Sequence, residues 1–171
     1  MAFFSKLFGT EPDPKEALRP LWHAIVAEAR NPKWYREHGA ADTVDGRFDM
    51  ITSVLGLVML RMERDDSLLP ATARLTELFV EDMDAQLRET GMGDPTLGKK
   101  MGKLMEAMGG RIGAFRHALP RGTDEVTKVV DRNANLAEGT EPAAMANGLI
   151  DLHQRLDTLT NEQLLTAELG K

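Results

Sequence analysis

Serine, histidine and clustered carboxylates are the side chains with which this chain could do chemistry, and their spacing decides which kind. Ser5, Ser53 and Ser67 lie in no Gly-x-Ser-x-Gly elbow, so no hydroxyl is presented as a nucleophile at a strained strand-to-helix turn. His23, His38, His117 and His153 form no His-Glu-x-x-His pair for zinc, and no Glu-x-x-His pair of the kind that ligates iron in carboxylate bundles. Cysteine is absent, which excludes thiolate metal sites and cysteine nucleophiles together. Gly91-Met92-Gly93 lacks the third glycine of a nucleotide loop and follows a helical pattern, so it reads as a helix stop followed by a helix start. The sequence predicts no catalytic residue, no metal site and no cofactor. A small ligand or haem held by His23, His117 or His153 within a helical bundle is the alternative these residues leave open.

The acidic group Glu81, Asp82 and Asp84 is the nearest approach to a carboxylate site. At roughly 100° per residue, Asp82 and Asp84 point about 160° apart on a helix and do not share an ion. Asp82 flanks an apolar stripe, which predicts pairing with a basic residue of a neighbouring helix, with Arg47 the candidate. We therefore expect Arg47 and Asp49 to meet the set Asp82, Asp84, Arg88 and Glu89 across a helix contact, since partly buried charges need partners. If these groups are solvated instead, they become a surface for a partner, or for an unrecognised enzyme site built on Arg47, Asp49, Asp82 and Asp84.

The segment from Asp94 to Leu119 carries the most unusual pattern. Gly98, Gly102, Gly109 and Gly113 fall within about 60° of one another on a helical wheel. Each weakens a helix by about 1 kcal/mol relative to alanine, so something should offset them. The edge they form borders Met101, Met105 and Met108, whose flexible thioethers suit adaptable apolar surfaces. Two arrangements fit: a tight internal helix crossing with the methionines as core filler, or a groove that accepts a client helix. Lys99, Lys100, Lys103 and Arg111 lie across the wheel and read as a solvated face.

The elements that must position these residues are helices throughout. Asp13-Pro14 opens a helix with Leu18, Leu21, Trp22, Ile25 and Ala29 on one face, ending near Arg30. Asn31-Pro32 starts a short second helix that stops at Gly39. From Thr43 to Arg64 apolar residues surround the axis, which marks a central helix. Pro70 opens a fourth with Leu75, Phe79, Met83 and Leu87, closed by Gly91. Asp94-Pro95 opens the glycine-rich fifth, Thr123 a sixth through Ala137, and a helix bearing Met145, Leu149, Leu152 and Leu156 follows. Thr160 and Gln163 have capping-box spacing for a last short one. The expected fold is all-α, a single-domain irregular bundle of about six to eight helices over 13–171, preceded by a flexible segment over 1–12.

A length of 171 residues suffices to bury one core without covalent staples. The net charge of -6 disfavours direct binding of nucleic acid. The longest apolar run, Val54 to Leu60, is far below the roughly 20 residues of a membrane span. Phe3, Phe4, Leu7 and Phe8 form a one-turn apolar patch that could make transient contact with a membrane surface. The cytoplasm, with a peripheral position at the inner membrane, is the expected location.

Two stretches carry a resemblance. Ala29-Arg30-Asn31-Pro32-Lys33-Trp34-Tyr35 leads to Asp42-Thr43-Val44-Asp45-Gly46-Arg47-Phe48-Asp49, and Asp82-Met83-Asp84-Ala85-Gln86-Leu87-Arg88-Glu89 leads to Gly91-Met92-Gly93-Asp94. Followed by Gly110-Arg111 and Phe115 to Leu119, these resemble the ubiquinol-cytochrome c chaperone family, most strongly over 18–119, in the manner of a bacterial member. Gly109 and Phe115 stand where that family commonly has an aromatic residue and a tyrosine. The resemblance implies an assembly chaperone without turnover, which holds newly made cytochrome b, or another membrane-protein client helix, during biogenesis of the ubiquinol-cytochrome c reductase.

Overall fold

The computed structural model describes residues 13–169. The 1–12 segment, and with it Phe3, Phe4, Leu7 and Phe8, lies outside the described residues. Eight α-helices follow one another among those described: α1 (Arg19–Ala29), α2 (Pro32–Arg36), α3 (Val44–Met62), α4 (Leu69–Glu89), α5 (Asp94–Ala118), α6 (Thr123–Asn133), α7 (Pro142–Thr158) and α8 (Asn161–Leu165). The fold is all-α, as the apolar periodicity predicts.

The punctuation acts where its chemistry requires. Asn31 accepts from the Lys33 amide at 3.1 Å and opens α2. Thr43 does the same for Gly46 at 3.1 Å and opens α3. Gly91, at φ +80°, ends α4 in the left-handed region that costs glycine nothing. Thr160 and Gln163 form the full capping box of α8. The chain enters α1 differently from expectation, through a 3-10 turn at Glu16–Leu18 rather than a helix beginning at Pro14.

α3 is the axis of the molecule, with every residue from Asp49 to Met62 buried. Helices α1, α4, α5 and α7 pack around it, and α6 packs on α7 and α5. Trp22 and Phe48 both meet Phe79 of α4, at ring-centroid distances of 6.1 and 6.3 Å. The α3 C-terminal end is tied to the far end of the chain by Arg61, buried, whose guanidinium donates to the carbonyls of Leu156 at 3.2 Å and Leu159 at 2.7 Å.

One departure from the sequence reading has structural weight. The sixth helix stops at Asn133 instead of running through Ala137, because the residues after it extend to pair with the loop after α2. Ala40 and Leu136 form an isolated antiparallel bridge, flanked by bonds from Ala41 N to Asn135 O and from Ala137 N to Gly39 O, each 2.9 Å. Backbone hydrogen bonds to a distant loop outweigh the local helical preference, and they carry Asn135 onto the side of α3.

Candidate functional site

α5 is placed by a polar clamp. Asp49 of α3 and Arg111 of α5 pair at 2.7 Å with side chains only 7% and 6% exposed. The same guanidinium donates to Thr52 Oγ1 and to the Asn133 carbonyl. The second carboxylate oxygen of Asp49 accepts from the Asn135 amide at 2.8 Å and its side-chain amide at 2.7 Å. Four helical and loop segments are thus fastened at one buried point. Arg111 does not belong to the solvated face assigned to it with Lys99, Lys100 and Lys103; those lysines are exposed. The signal was present, since Arg111 stands seven residues after Leu104 and four before Phe115, on the stripe that faces the core.

The other motif charges do not converge. Arg47 is 56% exposed and pairs at 2.8 Å with Asp42 rather than with the fourth helix. Arg88 bridges Asp84 at 2.7 Å and Asp94 at 2.9 Å, joining the end of α4 to the start of α5. Asp82 accepts a long bond from Gln86 at 3.4 Å, and Glu89 is exposed without an ion pair among the described residues. The expected cross-helix meeting of Arg47 and Asp49 with Asp82, Asp84, Arg88 and Glu89 is therefore replaced by local pairs, with Asp49 alone buried. The reason is register: Asp49 sits where α3 faces α5, and Arg47 two residues earlier points to the rim.

Along α5, Leu97, Met108, Ile112 and Phe115 are buried, while Met101, Leu104 and Met105 are half-buried against the same core. Gly98, Gly102 and Gly109 are exposed and Gly113 is half-exposed. A Cβ built on any of the four, or on Gly110, would meet nothing within 4 Å. Among the described residues no tight internal crossing exists at this edge. Close approach occurs at other glycines: a Cβ on Gly46 would collide with the Ala41 carbonyl, and one on Gly148 would stand 2.9 Å from the His38 ring.

On the other flank of α5, Lys100 and Leu104 line a cleft of about 420 Å³ with Arg47, Phe48 and Ile51 of α3 and Met83, Leu87 and Glu89 of α4. It continues past Arg30 and Arg47 into a polar hollow of about 550 Å³ with Tyr35, Arg36 and Asp42. Of the histidines considered as ligands, His23 and His117 are exposed. His153 is half-buried, with Nε2 at 3.6 Å from Asp157 and a buried Nδ1 that has no hydrogen-bond partner among the described residues. Burial holds its pKa below the ordinary value, with Asp157 pulling the other way. Among the described residues no group of three or more His, Asp or Glu side chains is placed to hold a metal ion. No helix there is long and apolar enough to cross a membrane.

The structure thus defines a helical bundle fastened by a buried polar clamp, with an exposed glycine edge along its longest helix. The family model described as Ubiquinol-cytochrome C chaperone matches residues 36–169, and the chain belongs to that family. The match begins just after the Ala29 to Tyr35 motif and runs through the C-terminal helices, past Leu119 where the sequence motifs end. Among solved structures the chain is similar to the crystal structure of the Cbp3 homolog from Brucella abortus, with a TM-score of 0.78 and 25% identity over 96% of this chain and 94% of that one. A comparison with curated proteins found no match.

Proposed function

We propose that this chain binds newly made cytochrome b during biogenesis of the ubiquinol-cytochrome c reductase, and that it seats an apolar client helix along the glycine edge of α5. Family membership supports the assembly role. The observation that carries the seat is the openness of Gly98, Gly102, Gly109 and Gly113. Each costs about 1 kcal/mol against alanine in a helix interior, and no contact among the described residues offsets it. A client helix laid against that backbone would, because small residues let two helices approach closely. Met101 and Met105, half-buried beside the edge, supply side chains that repack around different apolar surfaces. Met108, 5% exposed, packs into the core beneath them. Such a surface excludes water from a client helix and still releases it, and the mechanism needs no cofactor and no turnover. The site of action is the cytoplasmic face of the respiratory membrane, with Phe3, Phe4, Leu7 and Phe8 making transient surface contact.

The test is Gly102→Leu in the full chain, assayed by co-purification of cytochrome b from solubilised membranes beside a thermal melt. The side chain has room, so the melt should hold or rise while capture of cytochrome b drops. Normal capture by the folded variant would remove the seat from this edge.

A further inference from the structure

We propose that the cleft between α3, α4 and α5, with the arginine hollow beside it, is a second docking site, for a partner polypeptide segment that carries an acidic side chain next to its apolar anchors. It does not rest on the client seat. Lys100, on its wall, lies about 160° around α5 from Gly102, so the two surfaces are on different flanks of the helix.

The apolar half consists of Val44, Phe48, Ile51, Met83, Leu87 and Leu104. Val44 is 85% exposed, at the lip. A β-branched side chain so placed in the first turn of a helix gains nothing from the fold itself. The polar half places Arg30, Arg36 and Arg47 around one hollow against a single carboxylate, Asp42. Arg47 holds that carboxylate, while Arg30 and Arg36 have no carboxylate within 4.0 Å among the described residues. Tyr35 adds no anion, since its hydroxyl donates to the Ala29 carbonyl at 3.0 Å.

Three guanidiniums with one partner leave donors in the fork geometry that receives a carboxylate. Arg30 and Arg47 line both halves, so an acid bound in the hollow is continuous with anchors in the cleft. An anionic bilayer fits less well. The rim also bears Asp45 and Glu89, and the chain's net charge of -6 opposes approach to an extended negative surface, whereas one carboxylate senses mainly its near neighbours.

The probe is a labelled helical peptide with a leucine stripe and one glutamate at the stripe's end, compared with its glutamine and lysine counterparts by fluorescence anisotropy on the full chain. The glutamate peptide should bind about tenfold tighter than the glutamine one, the measure of a charge-assisted bond, and the lysine peptide more weakly than either. Arg30→Gln with Arg36→Gln, both exposed, should erase that preference at an unchanged melting temperature, and Val44→Ser should weaken all three peptides alike. Equal binding of the glutamate and glutamine peptides overturns the proposal, and so does failure of all three to bind. Arginine-dependent retention on phosphatidylglycerol vesicles without peptide preference assigns the hollow to lipid phosphate instead. A chain lacking residues 2–12 that binds every peptide more tightly makes its own N-terminal segment the occupant, which also overturns it.

Discussion

Burying a guanidinium and a carboxylate costs desolvation that only good geometry and filled hydrogen-bond capacity offset. At Arg111 and Asp49 both conditions hold, through Thr52, the Asn133 carbonyl and the two amides of Asn135. Removing one partner strands the other charge in the core. Arg111→Met is expected to destabilise the chain by about 3–5 kcal/mol in urea unfolding. Adding Asp49→Asn should recover part of that loss, since the amide oxygen can still accept from Asn135 and no charge remains. A double variant no better than the single would mean that the contacts of Arg111, not the stranded carboxylate, carry the cost. Both residues were legible as important charges in the sequence, but their partnership was not. Spacing says which face of its own helix a residue occupies and nothing about which helix arrives opposite, so Asp49 was matched to the fourth helix when α5 is its neighbour.

Glycines show the same division at the scale of an element. Their spacing along α5 made an edge visible in the sequence; whether the edge was covered depended on packing. Because a Cβ at Gly98, Gly102 or Gly109 meets nothing within 4 Å, each change to alanine should stabilise by about 0.8–1 kcal/mol, read as a rise in melting temperature. Gly46→Ala and Gly148→Ala should go the other way, the first against the Ala41 carbonyl and the second against the His38 ring. A destabilising Gly102→Ala would show that the edge is internally packed after all. The helix boundaries that local chemistry sets, at Asn31, Thr43, Gly91 and Thr160, were readable in advance. The end of α6 was not, because Ala134 to Ala137 answer to Gly39, Ala40 and Ala41, nearly a hundred residues away.

Across the whole molecule, the central position of α3 follows from a sequence apolar on every side, but the hollows between helices depend on how the helices cross. One of these lies where α3, the turn after α5 and α7 meet, lined by Glu63, Arg64, Arg116 and His153. Its charges are largely satisfied: Arg116 pairs with Glu63 at 2.7 Å and Arg64 with Asp157 at 2.8 Å. His153 is the exception, with its pKa held below the ordinary 6.5 first by burial and then by Arg64, against the opposing pull of Asp157. Above that value the imidazole is neutral in both folded and unfolded chains, and its burial costs nothing extra. As the pH falls below it, the unfolded chain takes up a proton that the folded chain resists, so folding stability is lost progressively toward the folded-state pKa. His153→Gln removes this linkage while leaving the other titrating groups in place. The stability of the parent relative to the variant, from urea unfolding at several pH values, should therefore decline between about pH 7.5 and pH 5.5. A parent that gains on the variant over that range would mean that the Asp157 pair governs His153, and parallel curves would mean that the ring is solvated when it titrates.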